Sequence, residues 1–218
     1  MPDIAAVIFD MDGVLLDSEQ IWDRAREEYT IRMGGRWSDR AQRDMMGMNS
    51  IEWTTYMHET LGVPRTPEEI NRDIVKLIAS IYTRDGFPMI PGAQRAVETL
   101  AVEWPLGVAS SSNRPIIDLV MDLTPLGASF KVTVSSEEVA RGKPNPDVYL
   151  KAAENLGVGP AKCAGVEDSQ NGILALVNAG MRAIAIPNPH YPPNTETLRK
   201  AAVVLKSIEE LTPETVRG

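Results

Sequence analysis

A run of four apolar residues, Ala6-Val7-Ile8-Phe9, leads directly into Asp10 and is followed by Met11, Asp12 and Gly13. A continuous apolar run that ends at a turn signal predicts a strand buried on both faces, as found in parallel sheets. Such sheets carry their chemistry just beyond the carboxyl ends of the strands. Asp10 falls at that end and Asp12 stands two residues on, in the loop, where Gly13 lets the chain turn away. Two carboxylates this close repel each other unless a cation lies between them or one keeps a proton. The stretch therefore points to a divalent metal, an acid/base pair, or both. A strand-end Asp before Gly also serves as a plain turn or helix cap. A calcium loop of the helix–loop–helix kind does not fit, because Gly13 precedes the third oxygen ligand that such a loop requires.

The rest of the chain narrows these choices. Its 218 residues suit one large domain carrying a smaller one, and 43% hydrophobic with 24% charged residues is ordinary for a globular protein. The net charge is −8 and no run of Lys or Arg exceeds two residues. An anionic surface repels phosphate backbones and acidic lipids, which argues against nucleic-acid and membrane partners. A phosphate ligand would need a metal or a few placed cations. Cys163 is the single cysteine, so no internal disulfide forms, and its apolar setting reads as a core thiol. The N-terminal apolar run is too short for a signal peptide or a membrane span, and the expected location is the cytoplasm.

From Ser18 to Asp85 no convincing strand is found. Ser18 is placed to cap a helix carrying Ile21, Trp22, Ala25, Tyr29 and Met33 near one face, ending at Gly34-Gly35. Helical segments follow at Ser38–Met46, Ser50–Leu61 and Pro67–Thr83, the last with Ile70, Ile74, Leu77, Ile78 and Ile81 on one stripe. Helices inserted after a strand and uninterrupted by strands predict a separate helical module over 17–85, with Asp85–Pro88 and Pro91-Gly92 as the return hinge. The remaining parts, 1–16 and 86–218, then form one core. There, helices at Ala93–Val102, Pro115–Leu123, Pro146–Leu156 and Gln170–Ala179 alternate with strands at Leu106–Ala109, Phe130–Val134, Cys163–Val166 and Arg182–Ile186. A weak strand at Val203–Leu205 and a short helix at Ser207–Leu211 close the chain. Alternation of this kind predicts parallel βαβ units in a doubly wound, Rossmann-like α/β sheet.

Polar groups recur at the ends of the later strands. Ser110-Ser111-Ser112-Asn113 follows the second strand and precedes a helix, whose free N–H groups favour anions. Arg141-Gly142-Lys143-Pro144-Asn145-Pro146 follows the third, with prolines stiffening the backbone after the lysine. Glu167-Asp168-Ser169 ends the fourth. Each has an ordinary alternative: a serine-rich cap, a solvated lysine, an acidic helix cap. Together they place carboxylates, a lysine, a hydroxyl and helix N-termini at one crevice, which is the equipment of phosphoryl transfer.

Four stretches in order, FDMDGVLLDSE (Phe9–Glu19), VASSSN (Val108–Asn113), GKPNPDVY (Gly142–Tyr149) and GVEDSQNGILA (Gly165–Ala175), resemble the haloacid dehalogenase superfamily in its phosphatase and β-phosphoglucomutase-like branch. The inserted helices match that family's small helical cap. The resemblance implies that Asp10 is the nucleophile, forming an aspartyl phosphate, and that Asp12 is the general acid and then the base. It implies Mg²⁺ on the carboxylates of Asp10 and Asp168 and the backbone carbonyl of Asp12, with Glu167 supporting from behind. Ser110 and Lys143 would hold phosphoryl oxygens. Gly13, Ser111, Ser112, Asn113 and Trp22 are further candidates for phosphate or substrate contact. The implied substrate is a small phosphate ester, with a sugar phosphate favoured.

Within the family, a retained Asp12 speaks against a dehalogenase, and Asp12 together with a helical insert whose only lysine is Lys76 speaks against a phosphonate hydrolase. The nearer rival is a β-phosphoglucomutase-like mutase. Those enzymes resemble one another in a hinge histidine and an insert arginine, where this chain has Trp22 and Ser50. Losing the arginine weakens the grip on a bisphosphate, so phosphatase is the expected activity. A non-catalytic phosphate- or metal-binding module, such as an aspartate-phosphorylated receiver, fits less well. Its accepting aspartate would stand at the third strand, which here ends without a carboxylate.

Overall fold

The computed structural model describes residues 3–38 and 40–218. Strand β1 (Ala6–Phe9) lies at the middle of a six-stranded sheet with β2 (Leu106–Ser110), β3 (Phe130–Ser135), β4 (Cys163–Glu167), β5 (Arg182–Ala185) and β6 (Val203–Val204). The order is β3-β2-β1-β4-β5-β6, and every pairing is parallel. This is the doubly wound arrangement expected from the alternation, and its order reverses between β1 and β4.

The four apolar residues of β1 are wholly buried because each sheet face is covered. Val7 and Phe9 pack into one core with Leu106, Val108, Val97 and Ile117. Ala6 and Ile8 point the other way, into a second core with Val148, Ala152, Ala175 and Leu176. Burying a large apolar side chain contributes about 1.5–3 kcal/mol, so a strand apolar at every position is stable only at the sheet's centre. The covering helices are α5 (Ala93–Ala101), α6 (Arg114–Leu123), α7 (Asp147–Leu156) and α8 (Gln170–Asn178), with α9 (Thr195–Leu198) and α10 (Pro213–Arg217) near the end. The predicted short helix at Ser207–Leu211 is a single 3₁₀ turn over Ile208–Glu210, and α10 was not foreseen.

Between β1 and α5 the chain forms only helices: α1 (Glu19–Arg32), α2 (Ala41–Met45), α3 (Ser50–Glu59) and α4 (Pro67–Asp85). The predicted Ser38–Met46 segment starts later, at Ala41, and Asp39 lies outside the described residues. Helix α4 begins with Thr66 and Glu69 capping each other's backbone and Pro67 in its first turn, and it buries Ile70, Ile74, Ile78 and Tyr82. Leu77 and Ile81 of the predicted stripe are only partly buried. Helix α1 buries Trp22, Ala25 and Tyr29 as expected and also Arg26, a charged residue on the apolar face.

Ser18 departs from expectation. It occupies the position before α1 but makes no side-chain cap. Its hydroxyl donates instead to Asp12 Oδ1 at 2.5 Å. A capping hydroxyl on an extended residue accepts a backbone N–H, whereas Ser18 has a helical backbone (φ −97°, ψ −16°) and its hydroxyl turns to the carboxylate as a donor.

Candidate active site

The strand order reverses between β1 and β4, and the loops that follow these two strands face each other across that point. The Asp10 N–H bonds Val166 O at 2.9 Å, continuing the ladder for one residue and pinning Asp10 beside the end of β4. Asp10, Glu167 and Asp168 each bring a carboxylate oxygen to within 4.8 Å of the other two. All three are buried. Lys143 Nζ sits among them, 2.8 Å from Asp10 Oδ1 and 2.6 Å from Glu167 Oε1, and it also donates to Ala109 O at 3.3 Å.

The three carboxylates are in different situations. Glu167 is fully engaged. Oε1 accepts from Lys143 and from the Tyr149 hydroxyl at 2.7 Å, while Oε2 accepts from the Asp168 and Ser169 N–H groups and the Ser169 hydroxyl. Burial alone would raise its pKa, but Lys143 and these donors hold it below the usual carboxylate range. Gly172 leaves the room it needs, since a Cβ there would stand 1.8 Å from its carboxyl group. Asp168 has one oxygen held by Asn188 Nδ2 at 2.8 Å, and the other, Oδ1, is buried with no partner. Asp10 Oδ1 accepts from Lys143, and among the described residues nothing donates to its Oδ2.

Burial pushes the Asp10 carboxyl well above its ordinary range, against the pull of Lys143, with Glu167 and Asp12 adding to the push. Asp168 is raised in the same way by burial and then by Glu167, Glu19 and Asp10. The lysine is displaced in the opposite sense. Burial opposes its charge, yet Asp10 and Glu167 together hold it more firmly protonated than a free lysine. One lysine thus serves three buried carboxyl groups, pairing directly with Asp10 and Glu167. Gly13 lines the same place. Its φ of +81° is a left-handed conformation, and a Cβ there would overlap Asp168 Oδ2 at 2.0 Å. An orphaned buried oxygen, hard oxygen donors and a floor that admits no side chain fit a hard divalent cation.

Asp12 points to the other side of the loop, and its carboxyl group is not part of the acidic cluster. It accepts from three hydroxyls: Ser18 on Oδ1, and Ser112 at 2.7 Å and Ser110 at 3.2 Å on Oδ2. A hydroxyl donates to a carboxylate and accepts from a carboxylic acid, so this cradle serves Asp12 in both protonation states. Ser110 also accepts the Ser112 N–H at 2.9 Å, and Ser111 donates to Gly47 O at 3.1 Å.

A cavity of ≈50 Å³ separates Asp12, Ser111 and Ser112 from the helices above, where Glu19, Trp22, Arg26 and Met45–Met48 line it with Trp53. Trp22 therefore stands at the cavity, with its indole N–H buried and unpartnered. Asn113 does not. Its amide joins Asn71 of α4 to Glu137, both below 3 Å, and so ties the helical segment to the sheet. Two residues at this centre escaped the reading of the sequence. Asn188 follows β5 and obeys the same strand-end rule as Asp10 and Asp168, a signal that was available. Tyr149 was quoted within its motif, but its bond to Glu167 is visible only in three dimensions.

Comparison with known proteins settles the family. The family model for haloacid dehalogenase-like hydrolases matches residues 4–180. The chain belongs to that family. It is 35% identical over 219 aligned residues to hexitol phosphatase B of Escherichia coli K12, covering 99% of this chain and 97% of that one. It is 32% identical to a probable pseudouridine-5′-phosphatase of Drosophila melanogaster, covering 95% and 91%. The crystal structure of a β-phosphoglucomutase from Clostridium difficile superposes with a TM-score of 0.84 over 98% of this chain and 96% of that one, at 22% identity, which shows the shared fold. This member of the haloacid dehalogenase-like hydrolases is a phosphoric monoester hydrolase with an acidic cluster able to hold a divalent metal. Among the described residues no helix is long and apolar enough to cross a membrane.

Proposed function

We propose that the chain is a Mg²⁺-dependent phosphatase of a small phosphorylated sugar or polyol, acting through an aspartyl phosphate on Asp10. The observation that carries this reading is the pairing of a lysine-neutralised Asp10 with a buried, partnerless Asp168 Oδ1. Asp10 Oδ2 and Asp168 Oδ1, with the backbone carbonyl of Asp12, would hold the cation, which when bound offsets charge on the phosphoryl oxygens. Glu167 is too heavily hydrogen-bonded to serve as a ligand and acts by fixing Lys143.

The chemistry then falls to this chain's own groups. An Asp10 oxygen attacks phosphorus, and the bond from phosphorus to the ester oxygen breaks as Asp12 delivers its proton to the departing alkoxide. Asp12, now ionised, takes a proton from water as that water attacks the aspartyl phosphate. The Asp10–phosphorus bond breaks and inorganic phosphate leaves. Lys143 and the Ser110–Ser112 turn hold the phosphoryl oxygens through both steps. Residues 17–85 act as a cap over the site. The cavity of ≈50 Å³ has room for only a few waters, so substrate enters with the cap displaced about residues 15–17 and 86–90.

The phosphatase names of the two sequence relatives support hydrolysis, and the hexitol phosphatase supports a polyol or sugar phosphate. A phosphorus NMR time course on sorbitol 6-phosphate, glucose 6-phosphate and β-glucose 1-phosphate with Mg²⁺ tests the reading. Inorganic phosphate should accumulate stoichiometrically, with Asp10→Asn reducing the rate at least about a hundredfold. Rapid interconversion of the two glucose phosphates, with phosphate release trailing far behind, would make the enzyme a mutase.

A further inference from the structure

Three polar side chains on the cap side of the cavity belong to no step above. Arg26, on the buried face of α1, is 9% exposed and packs its guanidinium over the rings of Trp22 and Trp53, at 4.9 and 5.1 Å from their centres. Among the described residues its side-chain partner is Gln42, whose Oε1 accepts from Nη1 at 3.3 Å. Gln42 Nε2 in turn donates to Glu19 Oε2 at 2.9 Å. The amide therefore links the cation to the carboxylate. It orients both while leaving part of each unused.

Arg26, Trp22 and Glu19 all line the cavity. Arg26 Nε and Trp22 Nε1 are buried N–H donors without partners. Glu19 Oε1 accepts nothing from the described residues. Leaving a buried donor unpaired is costly, more so when it is charged. A protein folds around such groups where a ligand supplies the acceptors. The lining thus offers two donors and one acceptor side by side.

That mixture selects for the hydroxyl group. An alcohol O–H accepts from an N–H and donates to a carboxylate at once, so neighbouring hydroxyls can satisfy Arg26, Trp22 and Glu19 together. An ionised phosphate only accepts, and it would meet the Glu19 carboxylate at the wall. Charge points the same way. The acidic side chains of Glu19, Asp12 and Asp23 all act on Arg26, so even with burial and Asp12 pushing the Glu19 carboxyl up to about 7 the cation has no surplus positive charge to offer. Distal phosphates are gripped by surplus positive charge, and this lining has none.

We propose that Arg26, Gln42 and Glu19, with the Trp22 indole, form the site that recognises the leaving alcohol, gripping adjacent hydroxyls of an uncharged polyol or sugar and excluding a second phosphate. This assignment rests on the phosphatase reading and specifies its substrate. Arg26 and Glu19 are specificity-determining residues, and Gln42 positions them. The site also opposes mutase chemistry, because a bisphosphate cannot be retained where the distal pocket carries a carboxylate.

The test compares sorbitol 6-phosphate, n-hexyl phosphate and p-nitrophenyl phosphate on wild-type protein, and glucose 6-phosphate against glucose 1,6-bisphosphate. Sorbitol 6-phosphate should exceed hexyl phosphate in kcat/KM by on the order of a hundredfold, the worth of two or three hydrogen bonds including charged ones. The bisphosphate should be at least about tenfold poorer than the monophosphate. In Arg26→Lys and Glu19→Gln, the ratio of sorbitol 6-phosphate to p-nitrophenyl phosphate turnover should fall at least about tenfold, and Glu19→Gln should narrow the discrimination against the bisphosphate. Ratios taken within one protein cancel any loss of folded enzyme. Equal turnover of hexyl and sorbitol phosphates by the wild type, or unchanged ratios in both variants, would overturn the assignment. Wild-type protein that releases no phosphate from any ester would instead defeat the phosphatase reading. Calorimetric binding of sorbitol 6-phosphate to Asp10→Asn, with and without Glu19→Gln, judges the site separately. Equal affinities there would overturn it.

Discussion

Replacing Lys143 with methionine removes the cation that sits among three buried carboxylates and keeps most of the side chain's bulk. Nζ lies 2.8 Å from Asp10 Oδ1 and 2.6 Å from Glu167 Oε1. At an effective dielectric constant of about 20, each contact is worth roughly 6 kcal/mol of gross attraction, most of it offset by the desolvation of the charges. Removing one partner of a buried pair typically costs about 3–5 kcal/mol, because the charges left behind stay buried. Domains of this kind have only about 5–15 kcal/mol in total. The variant should therefore lose a large part of its stability at pH 7.5, read as a lower urea midpoint by tryptophan fluorescence.

The loss should depend on pH with a definite sign. Asp10 already has a pKa raised in the folded protein, and without Lys143 it rises further. A carboxyl whose folded pKa lies above its unfolded value binds its proton more tightly when folded, so stability falls as pH rises through that window and recovers as pH drops. Glu167 is held low by Lys143 in the wild type, and its share of stability is present above the unfolded carboxylate range and lost as pH falls through its folded value. The Asp10 effect shrinks the gap between the two proteins towards pH 5, whereas the Glu167 share is lost only below the ordinary carboxylate range, under that window. Mg²⁺ should shrink the gap too at pH 7.5. A variant as stable as wild type at pH 7.5, or a gap unchanged between pH 7.5 and 5, would refute the electrostatic account of the site.

Two further outcomes follow from the same geometry. Asp12→Asn should slow hydrolysis of alkyl phosphates by on the order of a hundredfold or more and of p-nitrophenyl phosphate much less, since a good leaving group needs no proton; equal losses on both would assign Asp12 a structural or metal-holding role. Gly13→Ala places a methyl group where Asp168 Oδ2 now lies, 2.0 Å from the Cβ, in a backbone with φ +81°. It should weaken Mg²⁺ or Mn²⁺ binding by calorimetry at least about tenfold, as disturbing a metal ligand's support typically does, and unaltered affinity would remove Asp168 from the metal site.

Much of this architecture is legible in the chain because it rests on local patterning. An all-apolar β1 demands two covered faces, and the alternation of helices and strands after residue 93 dictates parallel pairing. The strand-end positions of Asp10, Glu167 and Asp168 then follow, because every parallel strand delivers its next residue to the same edge, whereas Lys143 reaches that edge from the loop beyond the 3₁₀ turn after β3. What local pattern cannot carry is the partner across space. Ser18 reads as a helix cap until Asp12 lies 2.5 Å from its hydroxyl. Glu167 and Asp168 are adjacent and chemically alike. Only burial against Lys143, Tyr149 and two backbone N–H groups makes the first a saturated anchor, while the second is left with a bare oxygen. Arg26 occupies a helix position where periodicity predicts core, and a single sequence does not distinguish a snorkelling arginine from one sealed between two indoles. Hydrophobic periodicity set the frame. The protonation and pairing of its charged groups were decided by tertiary contact, because the energy of a charge depends on what surrounds it and hardly at all on its neighbours along the chain.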